Sequence, residues 1–157
     1  MSNVIIRKAK IEDLPYIQNL CNLLSKQSYL FDKDVNINWA HSKEGKKYYE
    51  ERIEGNKGFC LIAEKENKIV GFASGSLHEA DDWRLIKRVE LDNVFITEQQ
   101  RRSGIGKLFI DFIKKWAKEI KAERVTLTAY VTNDKALKFY ERESFLPYEV
   151  TLEYKVK

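Results

Sequence analysis

Only two cysteines and two prolines occur in the 157 residues, and several protein classes drop out at once. Cys21 and Cys60 stand in apolar contexts, and neither belongs to a CxxC pair. A disulfide framework is therefore not expected; two reduced core thiols in a cytoplasmic protein are. No metal site is expected. No stretch approaches the ~18 apolar residues that a membrane-spanning helix needs, and the opening MSNVIIRKAKIEDL lacks the apolar core of a secretory leader. Neither a leader nor a membrane partner is expected. Repeats, low-complexity tracts and a Pro/Gly-rich linker are missing too, so residues 1–157 are expected to form one domain. Charge of one sign is not in excess: 28 Lys and Arg oppose 24 Asp and Glu, for a net charge of +4. That is too little to argue for a nucleic-acid partner. The apolar share is 43%, with 12% aromatic, which excludes a disordered chain.

What is present reads as alternating strands and helices. Residues 3–7 (NVIIR) predict a strand. Leu14, Ile17, Leu20, Cys21 and Leu24 fall at helical spacing and predict a helix over 11–25, with an irregular first turn at Pro15. Residues 27–43 follow no period. A polar helix is expected over 42–54, with Tyr48, Tyr49 and Ile53 as its buried stripe and Gly55 to Gly58 at its end. Residues 59–64 and 69–78 predict a hairpin, and 86–96 a third strand of the meander. The strongest helix signal covers 103–121, where Ile105, Leu108, Phe109, Phe112, Ile113, Trp116 and Ile120 make one stripe. A strand over 124–130, a short helix over 134–143 capped by Asn133, and a last strand over 148–156 complete the pattern. The order predicts an α+β fold with a mixed, mostly antiparallel central sheet flanked by helices.

One stretch carries more than structure. Residues 89–112 pass from a strand through Arg101-Arg102-Ser103-Gly104-Ile105-Gly106 into the long helix. Free N–H groups in a helix's first turn, the macrodipole and neighbouring cations together make a phosphate seat. Without side chains, Gly104 and Gly106 let a ligand reach the backbone. The same letters also suit a plain glycine turn with a solvated basic face. Two nucleotide loops fail: a Walker A loop would need Ser or Thr where Leu108 stands, and a GxGxxG fingerprint lacks its third glycine at Phe109.

The pattern Arg101-x-x-Gly104-x-Gly106, after Val94-Phe95-Ile96, resembles the acyl-CoA motif of the GNAT N-acetyltransferases. Asn133-Asp134-Lys135-Ala136-Leu137-Lys138-Phe139-Tyr140 resembles that family's downstream N-x-x-A-x-x-F-Y block, and Ser144 stands where a glycine is common. The opening Ile6-Arg7-Lys8-Ala9 with Glu12-Asp13-Leu14 is similar as well.

The resemblance implies the acyl-CoA N-acyltransferase fold with splayed fourth and fifth strands. It implies an acetyl-CoA-dependent N-acetyltransferase that acts by direct attack in a ternary complex. Arg102, Ser103, Gly104, Ile105, Gly106 and Lys107 would hold the pyrophosphate, with Arg101 also among the cofactor-binding residues. The main chain of Val94, Phe95 and Ile96 would pair with the pantetheine arm, beside Asn133, Ala136 and Phe139. Tyr140 would be the general acid toward the leaving thiolate. An acceptor amine of lysine type has a pKa near ~10.4, so a base must take its proton at neutral pH. Glu90 is the candidate, with Asp92 and His78 in reserve. A non-catalytic acyl-CoA-binding module on the same fold is the alternative. A homodimer is compatible with either reading.

The acceptor is a primary amine of unspecified kind, in a small molecule or a protein. Relatives that acetylate ribosomal-protein N-termini carry a glutamate where Thr128 stands here, which weakens a peptide assignment. Asp32, Asp34, Asp81 and Asp82 are candidates for an anionic mouth, with Tyr29, Phe31, Trp39 and Trp83 as walls. Each of these residues equally suits a solvated loop.

Overall fold

The structure, a computed structural model, describes residues 3–156. Strand β1 (Val4–Lys8) leads through a single 3-10 turn into helix α1 (Leu14–Ser28). Pro15 sits in the first turn of α1, where no N–H is needed, which accounts for the irregular entry. Arg7 clamps this corner. Its guanidinium bonds both carboxylate oxygens of Asp13, at 2.7 and 3.0 Å, and Glu64 at 3.0 Å. Asp13 also accepts the Lys10 N–H at 2.8 Å.

Helix α2 (Lys43–Glu54) begins as Ser42 accepts the Gly45 N–H and ends at Gly55, in the left-handed region at φ 86°. Strands β2 (Gly58–Lys65), β3 (Lys68–His78) and β4 (Arg88–Ile96) form an antiparallel meander. Helix α3 (Ile105–Glu119) crosses over to β5 (Arg124–Leu127), which runs parallel to β4, and helix α4 (Asp134–Arg142) follows. The sheet order is β1-β2-β3-β4-β5.

Strand alternation splits the core between two faces. Phe59, Leu61, Val89 and Leu91 point to α3 and meet Ile105, Phe109, Ile110 and Ile113. Cys60, Ile62, Phe72 and Phe95 point the other way and meet Ile17, Leu20 and Tyr49 of α1 and α2. Cys21 and Cys60 are free and buried, and burial pushes both thiols up. Among the described residues no helix is long and apolar enough to cross a membrane.

Several element limits depart from the sequence reading, and three of the departures shape the site and its surroundings. Helix α3 starts at Ile105 because Gly104, at φ 86° and ψ 0°, breaks the helical path before it. Strand β5 stops at Leu127 rather than Tyr130, and pairs with β4 only from Arg88 to Leu91. The expected last strand over 148–156 forms no ladder with any described residue.

Candidate active site

Where β5 leaves β4, residues 92–96 of β4 lose their neighbour on that side, which opens the expected splay between the fourth and fifth strands. The Thr97 N–H bonds the Val70 carbonyl in β3 at 2.9 Å. Alternation then turns the main-chain groups of Phe95 toward β3 and those of Val94 and Ile96 toward the splay. The Arg101 side chain closes the lower end. Its Nε donates to the Ile96 carbonyl at 3.2 Å, and its guanidinium lies 5.7 Å from the Phe95 ring centre.

The turn before α3 is built by two left-handed residues, Arg102 at φ 59° and Gly104 at φ 86°. Among the described residues, none accepts a hydrogen bond from the main-chain N–H of Arg102, Ser103, Gly104, Ile105, Gly106 or Lys107. The first helical bond goes from the Leu108 N–H to the Gly104 carbonyl. A side chain on Gly104 would meet no heavy atom within 4 Å, so the space over the turn is open. An anion fits six unpaired donors at a helix N-terminus. A phosphate-bearing cofactor therefore suits these residues on the structure's own geometry.

Two members of the turn act differently from what the sequence suggests. Lys107 points along α3 to Asp111, 3.0 Å away, and toward Glu143 at 3.7 Å, so its N–H rather than its ammonium serves the turn. Those partners raise the ammonium's pKa. Gly106 is small for packing: a Cβ there would stand 3.0 Å from the Phe139 ring and 3.6 Å from the Ile96 side chain.

Helix α4 opens on Asn133, whose Oδ1 accepts the Ala136 N–H at 3.3 Å. One turn on, Phe139 and Tyr140 reach the α3 face of the core, their ring centres 5.1 Å apart. Tyr140 also packs edge-on against Phe145 at 5.7 Å. Burial pushes its hydroxyl pKa up, and the hydroxyl bonds no described residue.

Strand β4 carries the polar groups on the α2 face. Ser74 pairs with Asn93 and Gly75 with Leu91, so Asp92 is the extra residue of a β-bulge. A regular strand would turn Glu90, Asp92 and Val94 to one face. The bulge resets the alternation instead, so Val94 packs on the α3 side while Glu90 and Asp92 share the other. Glu90 Oε2 lies 2.9 Å from His78 Nε2. Asp92 Oδ2 accepts from Tyr48 and from Ser76, the latter at 2.6 Å. Arg52 donates to Ser76 at 2.9 Å and stacks 3.9 Å from the Tyr48 ring. Burial first, then the Asp92 charge, drives the Tyr48 hydroxyl pKa far up. Ser76 and Arg52 escaped the sequence reading, and Tyr48 entered it only as part of the buried stripe of α2 and not as a partner of Asp92. One signal was available: Tyr48 and Tyr49 are adjacent in a helix, so they point about 100° apart, and Tyr48 packs at the margin of the cluster that Tyr49 enters fully.

The acceptor-side loops divide. Phe31 stacks on Tyr130 at 5.3 Å and so ties the loop after α1 to the chain leaving β5. Trp39 is not a wall; it packs against Tyr48 and Tyr49. Tyr29 carries Lys33 over its ring, 4.4 Å from the centre. Asp32 and Asp81 cap their own turns, Asp32 from the Asp34 N–H and Asp81 from the Trp83 and Arg84 N–H groups. Trp83 is exposed.

A family model described as the acetyltransferase (GNAT) family matches residues 17–145. An N-alpha-acetyltransferase of Sulfurisphaera tokodaii is 26% identical over 135 residues, covering 78% of each chain. Among solved structures, a mutant of the BH1408 protein from Bacillus halodurans matches with a TM-score of 0.84 and 22% identity, across 98% of this chain and 99% of its own. The aminoglycoside N-acetyltransferase AAC(6')-Iy in complex with CoA matches with a TM-score of 0.73 and 19% identity, across 100% and 97%. The family match runs from α1 past the end of α4 and takes in the bulged β4, the open turn and the Phe139-Tyr140 pair. This chain belongs to the acetyltransferase (GNAT) family.

Proposed function

We propose that the chain, acting as one domain over residues 1–157, is an acetyl-CoA-dependent N-acetyltransferase whose acceptor is a primary amine. The observation that carries this reading is the row of six unpaired N–H groups from Arg102 to Lys107 beside the splayed edge of β4. The turn suits the pyrophosphate, and the outward main chain of Val94 and Ile96 suits an extended arm with amides of its own. Asn133, Ala136 and Phe139 line the α4 side of the same path.

Acetyl-CoA supplies the acetyl group as a thioester. The chain's part is then positioning and proton transfer. About one part in 2,500 of a lysine-type amine is neutral at pH 7, so a base must take a proton before attack. Glu90 Oε is assigned that role, with His78 Nε2 hydrogen-bonded behind it. Asp92 is less free, because Tyr48 and Ser76 already occupy one of its oxygens. Tyr140 keeps its proton at neutral pH, since burial raises its pKa, and its hydroxyl is not engaged elsewhere. It is assigned as the acid that protonates the leaving sulfur.

The relative named N-alpha-acetyltransferase supports a peptide amine, and the aminoglycoside enzymes support a small-molecule amine. The test is a panel containing both, read by thiol release from acetyl-CoA. Release with at least one amine is the expected result. CoA binding by calorimetry without release from any of them would leave only an acyl-CoA-binding module.

A further inference from the structure

Strand pairing sets a row of cations beside Glu90. Val89 and Leu91 of β4 face α3, as do Val125 and Leu127 of β5, so the residues between them face the other way. His78, Arg88 and Arg124 therefore lie side by side across β3, β4 and β5, and Ser76, Glu90 and Thr126 form the next row. Arg88 and Arg124 stand directly opposite, and like charges so placed repel. Arg84, from the β3–β4 loop, joins them. It and Arg124 each donate to the Tyr148 hydroxyl at 3.0 Å, so the two guanidinium heads are neighbours.

None of the three arginines holds an anion. Among the described residues, no carboxylate forms an ion pair with Arg84, Arg88 or Arg124, whereas Arg7 holds two. Arg88 Nη1 is buried and bonds no described residue. The acceptor that Arg84 and Arg124 share is a phenol hydroxyl rather than a carboxylate. Asp81 acts on Arg84 and Arg88 only from a distance, and its Oδ1 is taken by the N–H groups of Trp83 and Arg84. Glu149 acts on Arg84 in the same distant way. A guanidinium presents a planar fork that bonds a carboxylate or a phosphate through two parallel N–H groups. Three such forks in one place, with repulsion between them unrelieved, make a seat for an acid group.

We propose that this seat binds an acid group of the acceptor itself, so that the acceptor is a small molecule carrying both a primary amine and a carboxylate or phosphate. The inference rests on the acetyltransferase reading, with Glu90 as the base. Arg88 and Glu90 are two residues apart on one face, so the two anchor points stand about 7 Å apart along β4. The acid group on Arg88 and Arg124 holds the amine at Glu90, on the side toward the splay. There the ammonium loses one proton to Glu90, the nitrogen bonds the acetyl carbon, and the carbon–sulfur bond breaks. The sulfur takes the Tyr140 proton, and the second proton leaving the nitrogen makes that one good. Arg84 and Tyr148 meet over Arg124 and bound the row at its far end, which favours a short molecule over a peptide. The same cations repel a polyamine.

The test is thiol release from acetyl-CoA with glycine, β-alanine, γ-aminobutyrate and ε-aminocaproate, each beside its carboxamide, and with aminoethyl phosphate beside ethanolamine. The acids are expected to exceed their uncharged counterparts about 10-fold in kcat/KM, with one chain length best. Carboxylate or phosphate ahead of its counterpart supports the seat, and the faster of the two names the acid. Arg124→Gln, at an exposed position, is expected to close that gap through KM rather than kcat. The melting temperature of the CoA-bound chain reads the seat apart from turnover: the acids should raise it, the amides should not, and Arg124→Gln should remove the rise. Thiol release from no amine, with that rise intact, overturns the acetyltransferase reading and supports the seat. Equal rates for acids and amides overturn the seat. So do spermidine or an acidic peptide amide ahead of every amino acid, and a melting rise that is absent or survives Arg124→Gln.

Discussion

A Cβ at residue 106 would stand 3.0 Å from the Phe139 ring, so the glycine turn and the α4 motif are in direct contact. The first expected to hold phosphate and the second expected to flank the arm therefore move together. Gly106→Ala gains helix propensity of about 1 kcal/mol, roughly what the crowding of Phe139 costs. Stability should stay level while CoA affinity falls about 10-fold, as the displaced ring shifts the turn. Calorimetry with CoA checks this, and an unchanged affinity would unlink the two motifs.

Tyr140→Phe removes a hydroxyl that bonds no described residue and keeps the ring contacts with Phe139 and Phe145. The melting temperature should hardly move. With chemistry rate-limiting, kcat should drop about 10²-fold, the lower range for loss of a general acid. An unchanged kcat removes Tyr140 from the mechanism.

Glu90→Gln and Asp92→Asn separate two neighbouring carboxylates. Glu90→Gln should cut kcat at neutral pH and move the rising limb of the pH profile to higher pH, where more of the amine is already neutral. Asp92→Asn should act mainly on stability, by about 1–2 kcal/mol, because the buried Tyr48 hydroxyl and Ser76 lose a charged acceptor. If Asp92→Asn shifts the profile and Glu90→Gln does not, the base is Asp92.

The Arg7–Asp13 clamp predicts an acid limit to stability. Arg7, held 2.7 Å away, keeps the Asp13 carboxyl below its ordinary value near 3.8, against the opposing effect of burial. A depressed folded-state value means that the stabilisation is complete above the unfolded value. It is lost as pH falls through the folded one. Wild-type stability should decline below about pH 4. Asp13→Asn should lose about 2–3 kcal/mol at pH 7 and show a shallower acid decline. Denaturant midpoints from pH 2 to 7 measure both; parallel curves for the two proteins would rule the clamp out as the source.

Local patterns carried far. The hairpin over β2 and β3, the α3 stripe, the cap at Asn133 and the glycine turn all rest on contacts within a few residues. Their period, cap and breaker residues are therefore written in consecutive letters. The family-like letters around Gly104 and Tyr140 likewise come to lie side by side, Gly106 against Phe139. What one-dimensional pattern misses is count and reach. The extra residue at Asp92 turns Val94 to the opposite face from Glu90, and a bulge shows only when β3 lies alongside. Tyr48 reaches Asp92 across 44 positions. Trp39, an equal candidate for a cleft wall, went to the core because Tyr48 and Tyr49 meet it there.

The sequence by itself determined the element order, the helix caps, the two motifs and the alternation of residues 146–156, because each follows from backbone geometry repeating every 2 or 3.6 residues. Only the tertiary structure decided which edges find partners: β5 ends at Leu127, β4 is left open from residue 92, and the alternating segment forms no ladder with any described strand. The physical reason is that a strand's hydrogen bonds are satisfied by another strand, and which one lies close enough is a property of the folded chain rather than of the strand's own letters.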